Sequence, residues 1–496
     1  MKKNNLWWIL LILIIGIVLY LYLSSKPSPI VSGTTVIYPV EFPDEAVSGI
    51  NFPTDSNTIN GWINDTSFVP NHYDSLSIYT HAWGIWAGLT AETKQRIDPL
   101  ERPLRIYETW MGLNEVRDYI IQGKEINTKS ILDRGRAPLT RPTQFAHAGH
   151  LEKSVNLVSK QSTFGAPATG FWVTVSYNPA QAQSAAKNKI FKQSVINSYY
   201  NKGKIGSIPS FPNNSIMIKP TYLVYSSKDD MLQMPVWIDA PNPPDSLNVF
   251  GPDQFPLCVY VDTKNKQDKN KKITPVLATS TNKTAIKNAT CNLSDFISFK
   301  VDAKTAKFMN QQDSIQGLNG NGAAKAGDLA VLVAMHVSTK EVSNWTWQTF
   351  YWAPTPSNPG SPSSKLAANT ITKEVKGAAR HYALNAAYVM TTPNNSNSAG
   401  AGSMFGYNPY LEGGFGPATF NITNNYNSSF KYGMQSNCMS CHALAVPSNH
   451  TGYTTDQPIN LNDPVFFNSE VKLDFAWSIQ TALIKDAVPY WKKPKK

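Results

Sequence analysis

Ile216-Met217-Ile218-Lys219, a proline, and then Thr221-Tyr222-Leu223-Val224-Tyr225 form the stretch on which the fold class turns. β-Branched and aromatic residues dominate it, and such side chains suit a pleated, half-buried surface. The same make-up recurs in Phe171-Trp172-Val173-Thr174-Val175-Ser176-Tyr177, Pro235-Val236-Trp237-Ile238, Cys258-Val259-Tyr260-Val261 and Leu329 to Val337. Turn residues separate these short runs. They predict a β-rich region from about 150 to 355, built as a sandwich or a strongly curved antiparallel sheet.

On the N-terminal side, from Tyr73 to about Gly123, the pattern turns helical. His81-Ala82-Trp83-Gly84-Ile85-Trp86-Ala87-Gly88-Leu89 and Ile106-Tyr107-Glu108-Thr109-Trp110-Met111-Gly112-Leu113 read as helix pieces rich in aromatics, either core or a ligand-facing wall. On the other side, Thr355 to Ser364 and Thr392 to Gly402 are built of Pro, Ser, Asn and Gly, as exposed loops are. The expected class is α+β. A large sandwich-like body over 61–400 carries a helical N-terminal part, and a short helical segment over 401–496 packs on it.

The chain opens differently. Lys2 and Lys3 precede the apolar run Leu6 to Leu23, and Ser24-Ser25-Lys26-Pro27 ends it. As a helix it would rise about 27 Å at ~1.5 Å per residue, enough to cross a bilayer core. A cleaved signal peptide is the rival, but its apolar part is shorter and ends in a small-x-small site that Tyr20-Leu21-Tyr22-Leu23-Ser24-Ser25 lacks. Residues 1–25 are therefore expected as a transmembrane anchor, with the lysine end inside. Residues 26–60, rich in Pro, Ser, Thr and Asn, read as a linker. The bulk of the chain then lies outside the cytoplasm.

The formal net charge is +11, much of it local. Lys264, Lys266, Lys269, Lys271 and Lys272 crowd one polar stretch, and Lys492, Lys493, Lys495 and Lys496 form the tail. Such runs read as solvated loops, or as a docking face for an acidic redox partner or anionic membrane. No nucleic-acid motif accompanies them. Two of the four cysteines, Cys258 and Cys291, either form a disulfide in an oxidising compartment or stay as buried thiols.

The other two belong to Cys438-Met439-Ser440-Cys441-His442. Thiols three apart fall on one side of a helical turn, where each can add to a vinyl group of one porphyrin, and the adjacent imidazole is placed to meet the iron. Cys438, Cys441 and His442 resemble the defining residues of c-type cytochromes. That resemblance implies one covalent haem c, two thioether links through Cys438 and Cys441, and His442 as proximal iron ligand. It covers five residues and implies no fold. More faintly, Ala82-Trp83-Gly84-Ile85-Trp86, Tyr107-Glu108-Thr109-Trp110, Met335-His336-Val337 with Trp345-Thr346-Trp347-Gln348-Thr349-Phe350, and Asp474-Phe475-Ala476 resemble a bacterial single-haem cytochrome c family with no established activity.

Small cytochromes c begin with this motif and take the sixth ligand from a methionine downstream, whereas no methionine follows His442. The distal candidates are His450, Met434, Met404, a more distant His or Met brought in by the fold, or an open position. His450 lies just past Pro447, an awkward distance for a chain doubling back over one haem. In Ala146-His147-Ala148-Gly149-His150, Pro142 and Gly149 argue for a loop, and His336 reads more simply as a hydrogen-bonded structural group than as a ligand. Arg380-His381-Tyr382 is placed as a possible haem wall, with Arg380 facing a propionate. No catalytic residue is assigned.

Two functions follow as expectations. One is electron transfer by a membrane-tethered mono-haem cytochrome on the periplasmic side of the bacterial inner membrane, with a redox partner protein. The other is a haem c oxidoreductase or small-ligand sensor, with an open iron site and a substrate pocket in the body. No paired carboxylates, nucleophile elbow or phosphate loop points to hydrolysis or transfer.

Overall fold

A computed structural model of the chain describes residues 36–42, 52–65, 67, 73–97, 101–127, 134–142, 167–239, 250–268, 271–315, 323–390, 405–417, 432–448, 459–467 and 470–492. The described strands are β1 (Met111–Gly112), β2 (Pro167–Val173), β3 (Ser176–Tyr177), β4 (Gly206–Ser207), β5 (Ile216–Tyr225), β6 (Met231–Pro235), β7 (Leu257–Asp262), β8 (Val276–Leu277), β9 (Thr290–Asn292), β10 (Ser298–Lys300), β11 (Leu329–Thr339), β12 (Thr346–Trp352), β13 (Tyr382–Ala386) and β14 (Val471–Lys472). The described helices are α1 (Ser56–Ile63), α2 (Ser75–Thr90), α3 (Leu113–Ile121), α4 (Pro179–Lys187), α5 (Gln193–Tyr199), α6 (Lys283–Asn288), α7 (Ala303–Ile315), α8 (Lys365–Asn369), α9 (Cys438–Ala443), α10 (Pro464–Phe467) and α11 (Trp477–Ala482).

β5 and β11 form the spine of the main sheet. Every residue of β5 is buried, as its mostly apolar and aromatic composition suits a strand covered on both faces, with Lys219 and Thr221 as its polar members. The sheet runs β1-β3-β5-β11-β12-β13, with β2 also on β5 and β10 also on β11, and every pairing in it is antiparallel. Pro220 has no N–H to give to a ladder. It sits where β5 changes neighbour from β3 to β2, beside the irregularity between Leu332 and Ala334 of β11. β6, β7 and β8 make a second sheet, with β9 parallel to β7, and β4 pairs with β14 in parallel.

The register sorts side chains onto two faces, because directly opposed residues of adjacent strands point the same way. One face carries the rows Lys219, His336, Thr349 and Met217, Ser338, Trp347. The other face carries Met335 opposite Phe350 and Val337 opposite Ile218, and α2 packs there. The Trp86 ring stacks on Phe350 with centroids 4.2 Å apart. The Trp83 and Trp86 indoles donate to the carbonyls of Ala367 at 2.7 Å and Ala379 at 3.0 Å. Asp74 caps α2 by accepting from the Ser77 N–H at 3.0 Å. His81 of α2 reaches Tyr388 Oη at 2.6 Å and Glu341 at 3.2 Å, tying helix to sheet through buried polar groups. The aromatic runs of α2 and of Ile106–Thr109 are thus core.

This architecture corrects the expected one. The chain is a mixed α/β fold, not a β sandwich: α4, α5, α6 and α7 interrupt the stretch expected to be β-rich, and one face of the main sheet is covered by helix α2 instead of a second sheet. α1 starts at Ser56, within the stretch expected as a linker, and Ile37 and Ile59 are fully buried. Among the described residues no helix is long and apolar enough to cross a membrane. The expected transmembrane helix has no counterpart among the described residues, and Leu6 to Leu23 lie outside them.

Cys258 and Cys291 are buried free thiols. β7 and β9 pair Val261 with Cys291, so Cys258 lies three positions from that partner and on the opposite face of its strand. Cys258 accordingly packs with Tyr260 and Ala289, while Cys291 joins the main core. Strand parity, not distance alone, keeps the two sulfurs apart.

Candidate functional site

α9 holds the motif, and its start is fixed by Asn437. The Asn437 side-chain carbonyl accepts from the Ser440 N–H at 2.9 Å, and its amide donates to the Val389 carbonyl at 2.9 Å. The preceding backbone pairs with Gly406: the Gly406 N–H donates to Ser436 O at 3.0 Å and the Cys438 N–H donates to Gly406 O at 2.9 Å. A Cβ on Gly406 would lie 2.3 Å from Ala387 Cβ, so the chain passes Ala387 this closely only because residue 406 has no side chain.

Three hydrogen bonds from the 473–477 segment clamp the other end of α9. The Leu473 N–H donates to Ala445 O at 2.9 Å, the Trp477 indole donates to Cys441 O at 3.1 Å, and His442 Nδ1 lies 2.8 Å from Phe475 O. A backbone carbonyl only accepts, so Nδ1 carries the proton and the neutral ring keeps its lone pair on Nε2. Burial drives the His442 pKa down to about 4, outweighing the Phe475 hydrogen bond that favours the charged ring. The imidazole is therefore neutral near pH 7, the form that binds a metal. The Trp347 ring lies on it, with centroids 4.2 Å apart and planes inclined by 38°.

Cys438, Cys441 and His442 line one cavity of about 920 Å³, counting its open mouth. Both cysteines are free thiols, held neutral by burial, which pushes both pKa values up. The sheet supplies another part of the lining through Met217, Lys219, His336, Ser338 and Trp347, which share one face. Glu412 joins it from the loop that follows β13: its Oε1 is 3.0 Å from His336 Nε2, and its Oε2 accepts from the Asn408 N–H at 2.8 Å. Burial opposes the charge on Glu412, but His336 and Lys219 hold its carboxyl below the usual range. Burial brings Lys219 down to about 7 despite Glu412. These three groups act electrostatically on His442 as well.

Sequence reasoning set His336 aside because a lone histidine in a strand carries no signal of its own. The signal is cross-strand, in the register that puts it opposite Lys219. Of the expected distal ligands, Met404 and His450 lie outside the described residues, as do His147 and His150. Met434 is buried but is not among the described side chains that line the cavity. Arg380 donates to the carbonyls of Thr372 at 3.3 Å and Val375 at 3.0 Å, and His381 faces Asp295 at 3.8 Å, away from the cavity.

No family model, curated protein or solved structure gives a significant match to this chain. The site is therefore read from its own chemistry. Two free thiols and a neutral imidazole with its Nδ1 already engaged fit a haem c, which needs one nitrogen ligand and two sulfurs from the motif. Among the described residues no group of three or more His, Cys, Asp or Glu is arranged to hold a metal ion by itself.

Proposed function

We propose that this protein is an extracytoplasmic, mono-haem c-type cytochrome that transfers single electrons. The observation that carries the reading is the convergence of Cys438, Cys441 and His442 on one cavity, with the Nδ1 of His442 committed to Phe475 O. Cys438 and Cys441 would hold the porphyrin by thioethers and His442 would be the proximal ligand. The bound haem supplies an iron that changes oxidation state by one electron. The chain's own residues orient it: the Phe475 carbonyl fixes the tautomer of His442, Trp347 fixes its ring, and Trp477 holds the Cys441 carbonyl. Haem c is attached outside the cytoplasm, so the reading implies the periplasmic side of the bacterial inner membrane and a redox protein as partner.

A second reading is favoured by one feature. The cavity lining includes ionisable groups, Lys219, His336 and Glu412, and such groups suit proton transfer to a small ligand at an open iron site. This would make the protein a haem c oxidoreductase or sensor. The absorption spectrum of the reduced protein with and without carbon monoxide separates the two. An unchanged Soret band supports electron transfer, and a shifted band supports the open site. A pyridine haemochrome assay tests the haem itself, which should show two thioether links in the wild type and one in Cys441→Ala.

A further inference from the structure

The turn that accepts the proton of His442 is backbone under strain. Asp474 and Phe475 have φ of 46° and 67°, in the left-handed region that a bulky side chain such as phenylalanine rarely enters. Two successive residues of this kind stay there only if something outside the turn holds them. The Asp474 side chain does so at both oxygens. Oδ1 meets the Lys340 ammonium at 2.6 Å, and Oδ2 accepts from the Phe211 N–H at 2.9 Å. Lys340 is itself fixed: its N–H donates to Ser215 O at 3.0 Å and its ammonium donates to Ser343 O at 2.8 Å. Lys340 and Asp474 are both largely buried, with side-chain exposures of 7% and 11%.

We propose that Asp474, anchored by Lys340, is a positioning residue that holds the Asp474-Phe475 turn so that the Phe475 carbonyl sets the tautomer and orientation of His442. The proposal rests on the haem reading above. A hydrogen bond to Nδ1 raises the basicity of a metal-bound imidazole, which favours the more highly charged iron. Losing the anchor therefore weakens the oxidised state relative to the reduced one. A tenfold change in that preference is a rise of about 59 mV in midpoint potential.

The test uses the full-length, haem-matured protein as wild type, Asp474→Asn, Asp474→Ala, Lys340→Met and Lys340→Arg. Pyridine haemochrome of the wild type decides the haem reading first. With haem in place, Asp474→Ala and Lys340→Met should keep two thioether links, raise the midpoint potential by about 59 mV, and alter the electron paramagnetic resonance of the oxidised iron. Lys340→Arg should restore both values. Wild-type potential and resonance in a haem-loaded Asp474→Ala protein overturn the proposal. If Asp474→Ala does not fold, the isosteric Asp474→Asn, which keeps an acceptor for Phe211, is read the same way. If the wild type carries no haem, nitrogen-15 resonances of His442 in the same chains decide: a protected Nδ1 proton lost in Asp474→Ala or Asp474→Asn supports the anchor, and its persistence in both overturns it.

Discussion

His442 and Phe475 are joined by a hydrogen bond of 2.8 Å from an imidazole Nδ1–H to a main-chain oxygen, 33 residues further along the chain. That single bond connects α9, which carries the two thiols, to the strained turn ahead of α11. The orientation of the site should therefore respond to Asp474 and Lys340, which hold that turn.

Gly406→Ala is expected to damage the site at its own lining. The new Cβ would fall 2.3 Å from Ala387 Cβ and push on the Gly406 backbone that pairs with Asn437 and Cys438. Overpacking of this kind costs about 1–3 kcal/mol. Thermal unfolding should show a lowered midpoint, and haemochrome stoichiometry should fall below that of the wild type. Wild-type values for both would mean that the chain at Gly406 has room for a methyl group.

Met434→Leu should leave the absorption spectrum of the reduced protein unchanged, because the Met434 side chain is not among the described ones that line the cavity. If the open-site reading holds and the reduced protein takes up carbon monoxide, His336→Ala and Lys219→Met, which line the same cavity as Cys441 and His442, should change that response. The reverse pattern in carbon monoxide difference spectra would return Met434 to the iron.

Asp313→Ala is expected to destabilise the fold by about 3–5 kcal/mol, since it strands a buried guanidinium. Arg141 is 1% exposed, pairs with both Asp313 oxygens at 2.7 and 2.9 Å, and lies 3.9 Å over the Trp172 ring. Denaturant unfolding measures the loss. A change under 1 kcal/mol would show that Arg141 finds another partner, since only exposed ion pairs contribute so little.

Acid should weaken the protein in a defined window. Burial opposes the charge on Glu108, but Arg102 and Arg136 overcome it and pull the carboxyl down to about 2 from an ordinary 4.5. A carboxyl depressed in the folded state adds stability that is fully present above its unfolded pKa and is lost as pH falls through the folded one. The contribution of Glu108 should thus disappear between about pH 4.5 and about pH 2. Glu108→Gln should flatten the stability profile over that interval, as urea unfolding across pH would reveal; an unaltered slope would remove Glu108 from the account.

The strands were the most legible part of the sequence. Ile216 to Tyr225 and Leu329 to Val337 signal themselves through local composition, and the motif at Cys438 through its spacing. The helices between the strands were not legible. α4 is built of Ala, Gln and Ser with little apolar periodicity, and α7 is mostly polar, so neither contrasts with a loop. The cavity wall was hidden for a different reason: Lys219, His336 and Glu412 come from three distant stretches, and only strand register brings the first two together. The parity that separates Cys258 from Cys291 and the left-handed turn at Asp474 are likewise pairwise or conformational facts, with no trace in composition.

The alternation along β11 has a consequence for how this protein can vary. Ala334, His336 and Ser338 look toward α9, while Met335, Val337 and Thr339 look toward α2. A slip of one residue between β5 and β11 would exchange the two sets, placing a histidine and a lysine under the tryptophans of α2 and methionine and valine before the thiols. Chemistry and solubility of the core are thus written on one ribbon in interleaved letters. Substitutions at alternate positions can retune one message while the other is left to be read as before.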